Sequence, residues 1–291
     1  MKIGFIGQGW IGKSYADDFE NRGHEVIRYS LEEPHIQNKD RIPECEIVFI
    51  AVPTPTTQEG FDSRYVRDAL TNVGEGKTAV IKSTILPGTT CDLQKRFPNI
   101  YLMHSPEFLR EKTCKEDAAN PDRNIVGIPY ESPEYVERAH EVLAVLPRAP
   151  YETIMPATEA ELVKYGGNCY LYMRVLFMNM LYDFVKAKGG NWDAVREGLI
   201  HDPRIGKSHT EPVNAGGRGA GGHCFIKDFE AFRQMYTESV DDQIGKDFLK
   251  NAVYKNIQLL ADSGKNIDLL EGVYGKLNNY RVWKNVHDTM L

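Results

Sequence analysis

Short apolar runs that alternate with amphipathic, helix-length stretches constrain the first half of this sequence more than any other feature. Ile3 to Ile6, Glu25 to Tyr29, Ile47 to Val52, Thr78 to Lys82, Tyr101 to His104 and Asn124 to Ile128 are rich in β-branched or aromatic residues and bounded by turn residues. Such runs predict strands. Between several of them, Ile11 to Asn21, Ser63 to Asn72, Thr90 to Phe97 and Pro133 to Leu146 carry helical spacing of apolar residues. The alternation predicts a mostly parallel sheet covered by helices on both faces, so residues 1–150 are expected to form one α/β domain.

From Ala157 the pattern changes. Leu162, Gly166, Cys169, Met173, Leu176 and Met180 recur at alternating four- and three-residue spacing, which predicts one helix over about 157–187. At 1.5 Å per residue it would extend roughly 45 Å, too far for a small domain to cover alone, and a second copy is the expected partner. Further helices are expected at about 191–199, 226–238 and 243–263. Residues 151–265 thus make a second, all-helical domain around one long central helix, and the tail 266–291 is too weakly patterned to assign.

Composition narrows the function classes. The 291 residues carry a net charge of −6 with acids and bases interspersed, which argues against nucleic acid or an anionic membrane surface as partner. No run approaches ~18 apolar residues, as a spanning helix needs. M-K-I-G-F-I-G enters a strand directly, without the pattern of a secretory leader, so a cytoplasmic protein is expected. The five cysteines, Cys45, Cys91, Cys114, Cys169 and Cys224, are odd in number and lack C-x-x-C spacing. Neither a disulfide framework nor a metal site is expected.

G-Q-G-W-I-G, Gly7 to Gly12, follows the first strand and opens a helix. In that context the glycines predict a Rossmann-like, doubly wound dinucleotide fold: Gly7 for the tight turn, Gly9 for approach of a pyrophosphate, Gly12 for close helix–sheet packing. Trp10 and Ile11 lie in the same turn, at the helix N-terminus that offers N–H groups to an anion. The acid that usually closes the second strand is replaced by Ser30. Glu32 or Glu33 would have to reach back to the ribose, whereas Arg28 with Ser30 would suit a 2′-phosphate. NAD is the expected cofactor, with NADP left open by Ser30.

Several longer motifs then appear in order: I-V-F-I-A-V-P-T-P (Ile47 to Pro55), I-K-S-T-I-L-P-G-T-T (Ile81 to Thr90), S-P-E-F-L-R-E (Ser105 to Glu111) with N-P-D-R (Asn120 to Arg123), E-A-E-L-V-K-Y-G-G-N (Glu159 to Asn168), D-P-R-I-G (Asp202 to Gly206) and G-G-H-C-F-I-K-D (Gly221 to Asp228). Together they resemble the UDP-glucose/GDP-mannose 6-dehydrogenase family, over residues 1 to about 262. The resemblance implies oxidation of the C6 alcohol of a nucleotide sugar to the acid with two NAD, through a cysteine-bound thiohemiacetal and thioester. It makes Cys224 the nucleophile and Asp228 a proton-transfer and water-ordering group. Lys164 and Asn168, one helical turn apart, would donate to the oxyanion. Glu107 would assist thioester hydrolysis and Thr84 would help hold a water. Val52, Pro53, Thr84 and Lys227 join the glycines and Ser30 at the cofactor, and Phe108, Leu109, Glu111, Arg204 and Gly221 join Lys164 and Asn168 along the substrate. A homodimer through the long helix is implied as well.

Plainer roles stand beside these. Glu107 and Glu111 would serve as solvated loop acids, Lys164 with Glu161 as a surface ion pair, Thr84 as a strand-end cap, and Arg204 as a bridge between surface acids. The third, nucleotide-binding domain usual in the family has no counterpart before Leu291, and the segment from Ser30 to Ile47 is short. His223 before the cysteine follows N-acetylhexosamine-type relatives, while F-x-K-D after it follows the UDP-glucose and GDP-mannose types, so the sugar stays open. Two other readings compete: a single-step dehydrogenase of the 3-hydroxyacid/6-phosphogluconate superfamily, which needs no cysteine, and a non-catalytic nucleotide-binding subunit.

Overall fold

The computed structural model describes residues 1–276, in two compact units: Met1–Pro55 with Asp62–Lys164, and Thr56–Phe61 with the chain from Tyr165 onward. The tail beyond residue 276 lies outside the described residues. Along the chain, β1 (Lys2–Ile6), α1 (Trp10–Asn21), β2 (Glu25–Tyr29) and β3 (Ile47–Ile50) come first, followed by a small hairpin, β4 (Thr56–Thr57) and β5 (Gly60–Phe61). Next are α2 (Arg64–Leu70), β6 (Thr78–Ile81), α3 (Thr89–Arg96), β7 (Tyr101–His104), α4 (Cys114–Ala119), β8 (Arg123–Ile128), α5 (Pro133–Val145) and β9 (Tyr151–Pro156).

In the first unit the strands form one sheet in the order β2-β1-β3-β6-β7-β8-β9. Every neighbouring pair is parallel except β7 with β8. All four residues of β3, I-V-F-I, are buried, as befits a strand covered on both faces. One face is sealed by aromatic packing: Phe5 stacks on Phe49 at 5.1 Å between centroids, and Phe19 from α1 meets both rings edge-on. These geometries add to simple area burial.

The sequence reading missed β9. Y-E-T-I-M-P is only partly buried and ends in proline, so as an edge strand it lacks the clean apolar run that announced the others. Because β9 pairs with β8, the first unit extends to Lys164 rather than stopping at 150.

The long helix, α6 (Ala157–Ala187), spans the residues expected, and the boundary between the units falls inside it. Its first turns close on the sheet at Gly127, where an added Cβ would come within 2.7 Å of the Ala160 Cβ. At the next residue, the buried Glu161 carboxylate accepts Gly88 N (2.5 Å), Thr90 N (2.9 Å) and Thr90 Oγ1 (2.6 Å), capping α3 from outside. Burial pushes its pKa upward, and these hydrogen bonds pull against that shift.

The second unit contains the rest of α6, α7 (Trp192–Ile200), a hairpin of β10 (Val213–Asn214) and β11 (Gly217–Arg218), α8 (Gly222–Ser239), α9 (Gln243–Asp262) and α10 (Ile267–Tyr274). It is therefore helical with two small hairpins, not purely helical as expected, since β4–β5 packs here against α8 and α10. Its core is centred on Tyr172 of α6 stacked on Phe229 of α8 at 3.8 Å. The apolar spacing read from α6 does not form one buried face: Cys169 and Leu176 are buried, while Leu162 and Met180 are exposed. No helix among the described residues is long and apolar enough to cross a membrane.

Glu161→Ala would leave two backbone N–H groups and a hydroxyl without their acceptor. Its expected effect is a loss of about 3 kcal/mol in unfolding free energy, read from urea denaturation.

Candidate active site

Parallel strands end on the same edge, so the segments after β1, β3, β6 and β7 gather at the carboxyl edge of the sheet, where the chain order reverses between β1 and β3. The glycine turn follows β1. Gly7 has φ +91, its N–H reaches Tyr29 O at 2.9 Å, and a Cβ there would overlap Ala51 O. A Cβ on Gly12 would overlap the Gly7 carbonyl, so the start of α1 can lie against the turn only without one. Gly9 faces open space, as close approach of a pyrophosphate requires. Trp10 and Ile11 begin α1 beside it, and Trp10 is exposed. This turn fits a dinucleotide, which would be held by Gly7, Gly9 and the N-terminus of α1.

The adenosine side is less prepared for a 2′-phosphate than the residue types suggested. Arg28 is nearly buried, and its guanidinium is engaged by Asp17 at 2.8 Å and Glu20 at 2.7 Å. Ser30 Oγ donates to Glu32 O at 2.9 Å, and Glu32 and Glu33 are both exposed. With Arg28 already neutralised by two carboxylates, NAD suits this edge better than NADP.

Val52 and Pro53 follow β3, and Ser83 Oγ binds Val52 O at 2.7 Å, which fixes the segment after β6 to it. Thr84, in that segment, is buried. After β7 the chain turns through Ser105 to Glu107, which is 2% exposed. Lys164 Nζ donates to both Glu107 O and Glu107 Oε1 at 2.7 Å, and Leu109 N donates to Glu107 Oε2 at 2.8 Å. Glu107 is thus a buried, fully engaged carboxylate, not a solvated loop acid. Lys164 pairs with it and not with Glu161. Phe108 lies under the Arg123 guanidinium at 3.8 Å, Leu109 is half-buried, and Glu111 is exposed at the start of a single 3-10 turn.

In the second unit α8 starts at Gly222, earlier than the 226 expected, so Cys224 lies within its first turn and is partly exposed. Negative charge at a helix start is stabilised by the unpaired N–H groups there. One turn on, Asp228 is fully buried; Lys227 Nζ holds its Oδ1 and Asn168 Nδ2 its Oδ2, both at 2.6 Å. Arg204 lies elsewhere on this unit, 87% exposed, and forms a two-point ion pair with Asp202.

The glycines before Cys224 have a packing reason. Gly219 and Gly222 adopt φ +87 and +83, which favours glycine. A Cβ on Gly221 would overlap the Asn266 side chain. Asn266 Oδ1 accepts Gly222 N at 3.0 Å, and buried Asn256 holds both Ala220 N (2.7 Å) and Ala220 O (2.9 Å). The sequence reading did not identify Asn256 or Asn266, since nothing local marks a distant asparagine as a backbone clamp. It also passed over Lys82, whose signal was present: a lysine at the end of a strand of buried apolar residues. Among the described residues no cluster of side chains could hold a metal ion.

Residues 34–146 match the NAD binding domain of the UDP-glucose/GDP-mannose dehydrogenase family, and residues 158–256 match that family's central domain. A curated UDP-glucose 6-dehydrogenase of Rickettsia felis is 30% identical, aligned over 94% of this chain and 71% of its own length. One from Haloferax volcanii is 27% identical over 79% of this chain and 64% of its own length. The chain therefore spans roughly two thirds of such relatives. Among solved structures, a UDP-glucose dehydrogenase from Pyrobaculum islandicum superposes with a TM-score of 0.76 at 26% identity, covering 93% of this chain and 70% of that one. The 3-hydroxyisobutyrate dehydrogenase of Mycobacterium tuberculosis, at 15% identity and TM-score 0.68, shares the fold.

Burial pushes the Cys45 thiol up to about 11 and raises Cys91 and Cys169 as well. Brief alkylation at pH 7 with iodoacetamide is therefore expected to label Cys224 about tenfold faster than these three, as read by peptide mass mapping.

Proposed function

Since the chain belongs to the UDP-glucose/GDP-mannose dehydrogenase family, with that family's NAD-binding and central domains, we propose that it oxidises the C6 alcohol of UDP-glucose, or of a related UDP- or GDP-sugar, to the uronic acid. The observation that carries this reading is the first turn of α8: a partly exposed thiol, Cys224, one helical turn from a buried aspartate gripped by Lys227 and Asn168. A single-step dehydrogenase has no use for that thiol.

Bound NAD supplies the hydride acceptor for each of two oxidations. The chain's own residues do the rest. The Cys224 thiolate adds to the C6 aldehyde, forming an S–C bond, and the resulting alkoxide takes a proton to give the thiohemiacetal. Loss of a second hydride and of the hydroxyl proton leaves a thioester. Water then adds, the S–C bond breaks, and the acid departs as the thiol is restored, so one water is consumed and four electrons leave the sugar. Asp228, fixed by its two donors, suits proton movement at the C6 oxygen and the ordering of water. Glu107, held by Lys164 and Leu109 N, suits activation of the hydrolytic water, with Thr84 helping to hold it. Lys164 and Asn168 supply N–H donors for the oxyanion, an effect typically worth ~3–4 kcal/mol per donor. Phe108, Leu109, Glu111 and Gly221 are assigned to the sugar, and Lys227, Val52 and Pro53 to the cofactor side.

The same reading includes a homodimer through α6. Tyr170, Met173, Phe177, Met180 and Phe184 follow three- and four-residue spacing along this helix, and all but the partly buried Met173 are exposed, Phe177 by 57%. That is the seam of a helix awaiting a like helix. Arg204, with its side chain in solvent, is then available to a substrate held by the second copy.

Incubation of the purified protein with NAD and a panel of UDP- and GDP-sugars is expected to yield two NADH per acid for one of them; no NADH with any sugar would refute the oxidation. Cys224→Ser is expected to stop before acid is released, whereas a single-step enzyme would keep its rate. Phe177→Asp is expected to convert the dimer to monomer in analytical ultracentrifugation.

A further inference from the structure

Lys82 has no part in the chemistry above, yet it is the most unusually placed charge in the first unit. It follows β6, is 3% exposed, and its Nζ donates to Ser105 Oγ at 3.1 Å while lying 4.6 Å from the centroid of the Tyr15 ring on α1. Ser105 begins the turn that carries Glu107. The turn is therefore gripped twice, by Lys82 at Ser105 and by Lys164 at Glu107.

Lys82 is buried without a direct ion pair among the described residues. Lys82 and Lys164 are both buried near the buried Glu107 carboxylate; Lys164 holds the direct contact, and the hydrogen bond of Lys82 goes to a hydroxyl. The remaining titratable neighbours add little compensation: burial drives His104 on β7 neutral, with a pKa of about 3, and raises the Tyr15 phenol so that it stays protonated. Asp18 on α1 and Asp117 on α4 act on Tyr15, and each is already tied to an arginine, Arg22 and Arg110 respectively. Burying a charge without a full counter-ion is costly, so a lysine persists there only where its charge or its hydrogen bond serves something.

We propose that Lys82 is a positioning residue for Glu107: it anchors the Ser105–Glu107 turn through the Ser105 hydroxyl and places a positive charge beside the carboxylate that the turn carries. The proposal rests on the reading of Glu107 as the group that activates the hydrolytic water. Burial brings the Lys82 ammonium down to about 7, opposed by Glu107 and reinforced by Lys164. Removing a neighbouring positive charge disfavours a carboxylate, so the acid limb of the hydrolytic step is expected to move upward without Lys82.

The test follows the Glu107 side-chain carbon in the full chain labelled with carboxyl-13C glutamate, assigned by its loss in Glu107→Gln. Lys82→Met removes charge and hydrogen bond together; Lys82→Gln keeps a donor to Ser105 and removes only the charge; Lys82→Arg keeps the charge. The Glu107 midpoint is expected to rise by about one pH unit in the first two and to return toward wild type in the third. With sugar and NAD, the neutral variants are expected to retain the first-turnover NADH burst and KM, to lose about tenfold in kcat at acid pH, and to accumulate the Cys224 acyl-enzyme by intact mass. An unmoved Glu107 midpoint in Lys82→Gln, with the protein folded by its thermal transition, overturns the proposal even if the enzyme is active. A wild-type protein that makes no NADH overturns the oxidation reading instead, and leaves the carboxyl titration to decide on Lys82.

Discussion

Parallel strands can end only on one edge of their sheet, and in the first unit that constraint gathers what the primary structure scatters. Gly7 follows β1, Val52 and Pro53 follow β3, Lys82 to Thr84 follow β6, and Ser105 to Glu107 follow β7. All of them reach the carboxyl edge near the reversal of strand order, where open α/β sheets bind ligands. The edge is not a smooth cleft made by loops alone. It is assembled from backbone that cannot tolerate a Cβ at Gly7 or Gly12 and from side chains, such as Ser83, that bind one strand's end segment to the next.

Each unit then handles buried charge in its own way. In the first, the Glu107 carboxylate is saturated by Lys164 and a backbone N–H, and Lys82 stands nearby with a hydroxyl in place of a counter-ion. In the second, Asp228 is completely buried yet neutralised by Lys227 and bound by Asn168. A carboxylate fixed in this manner needs little reorganisation when a proton or water must be handled, which is where preorganised sites gain most over solution. Glu161 and Asn256 are buried just as deeply, and they hold the backbone of α3 and of the segment before α8, Glu161 with the Thr90 hydroxyl as well.

Much of this was legible before the structure. Strand and helix positions in the first half followed from period and turn residues, and the span of α6 matched the expectation. The close packing of Gly7 and Gly12 was announced by their spacing between a strand and a helix. The misses share a cause, because each depends on a partner far away in sequence. β9 is a strand by virtue of β8; the start of α8 at Gly222 is supported by Asn266; the plainer ion pair of Lys164 with Glu161 dissolves because Glu107 and Thr90 compete for the two side chains. Local pattern has no access to such competition.

Sequence alone determined the class of fold and the kinds of chemical group present, since periodicity, turn chemistry and residue type are local properties that short-range sterics and burial enforce. Tertiary structure alone decided which charges face each other. It paired Lys164 with Glu107, committed Arg28 to Asp17 and Glu20, and left Lys82 buried with a hydroxyl as its hydrogen-bond partner. Those choices are electrostatic, and electrostatic energy depends on distance and on exclusion of water, neither of which a linear order of residues contains.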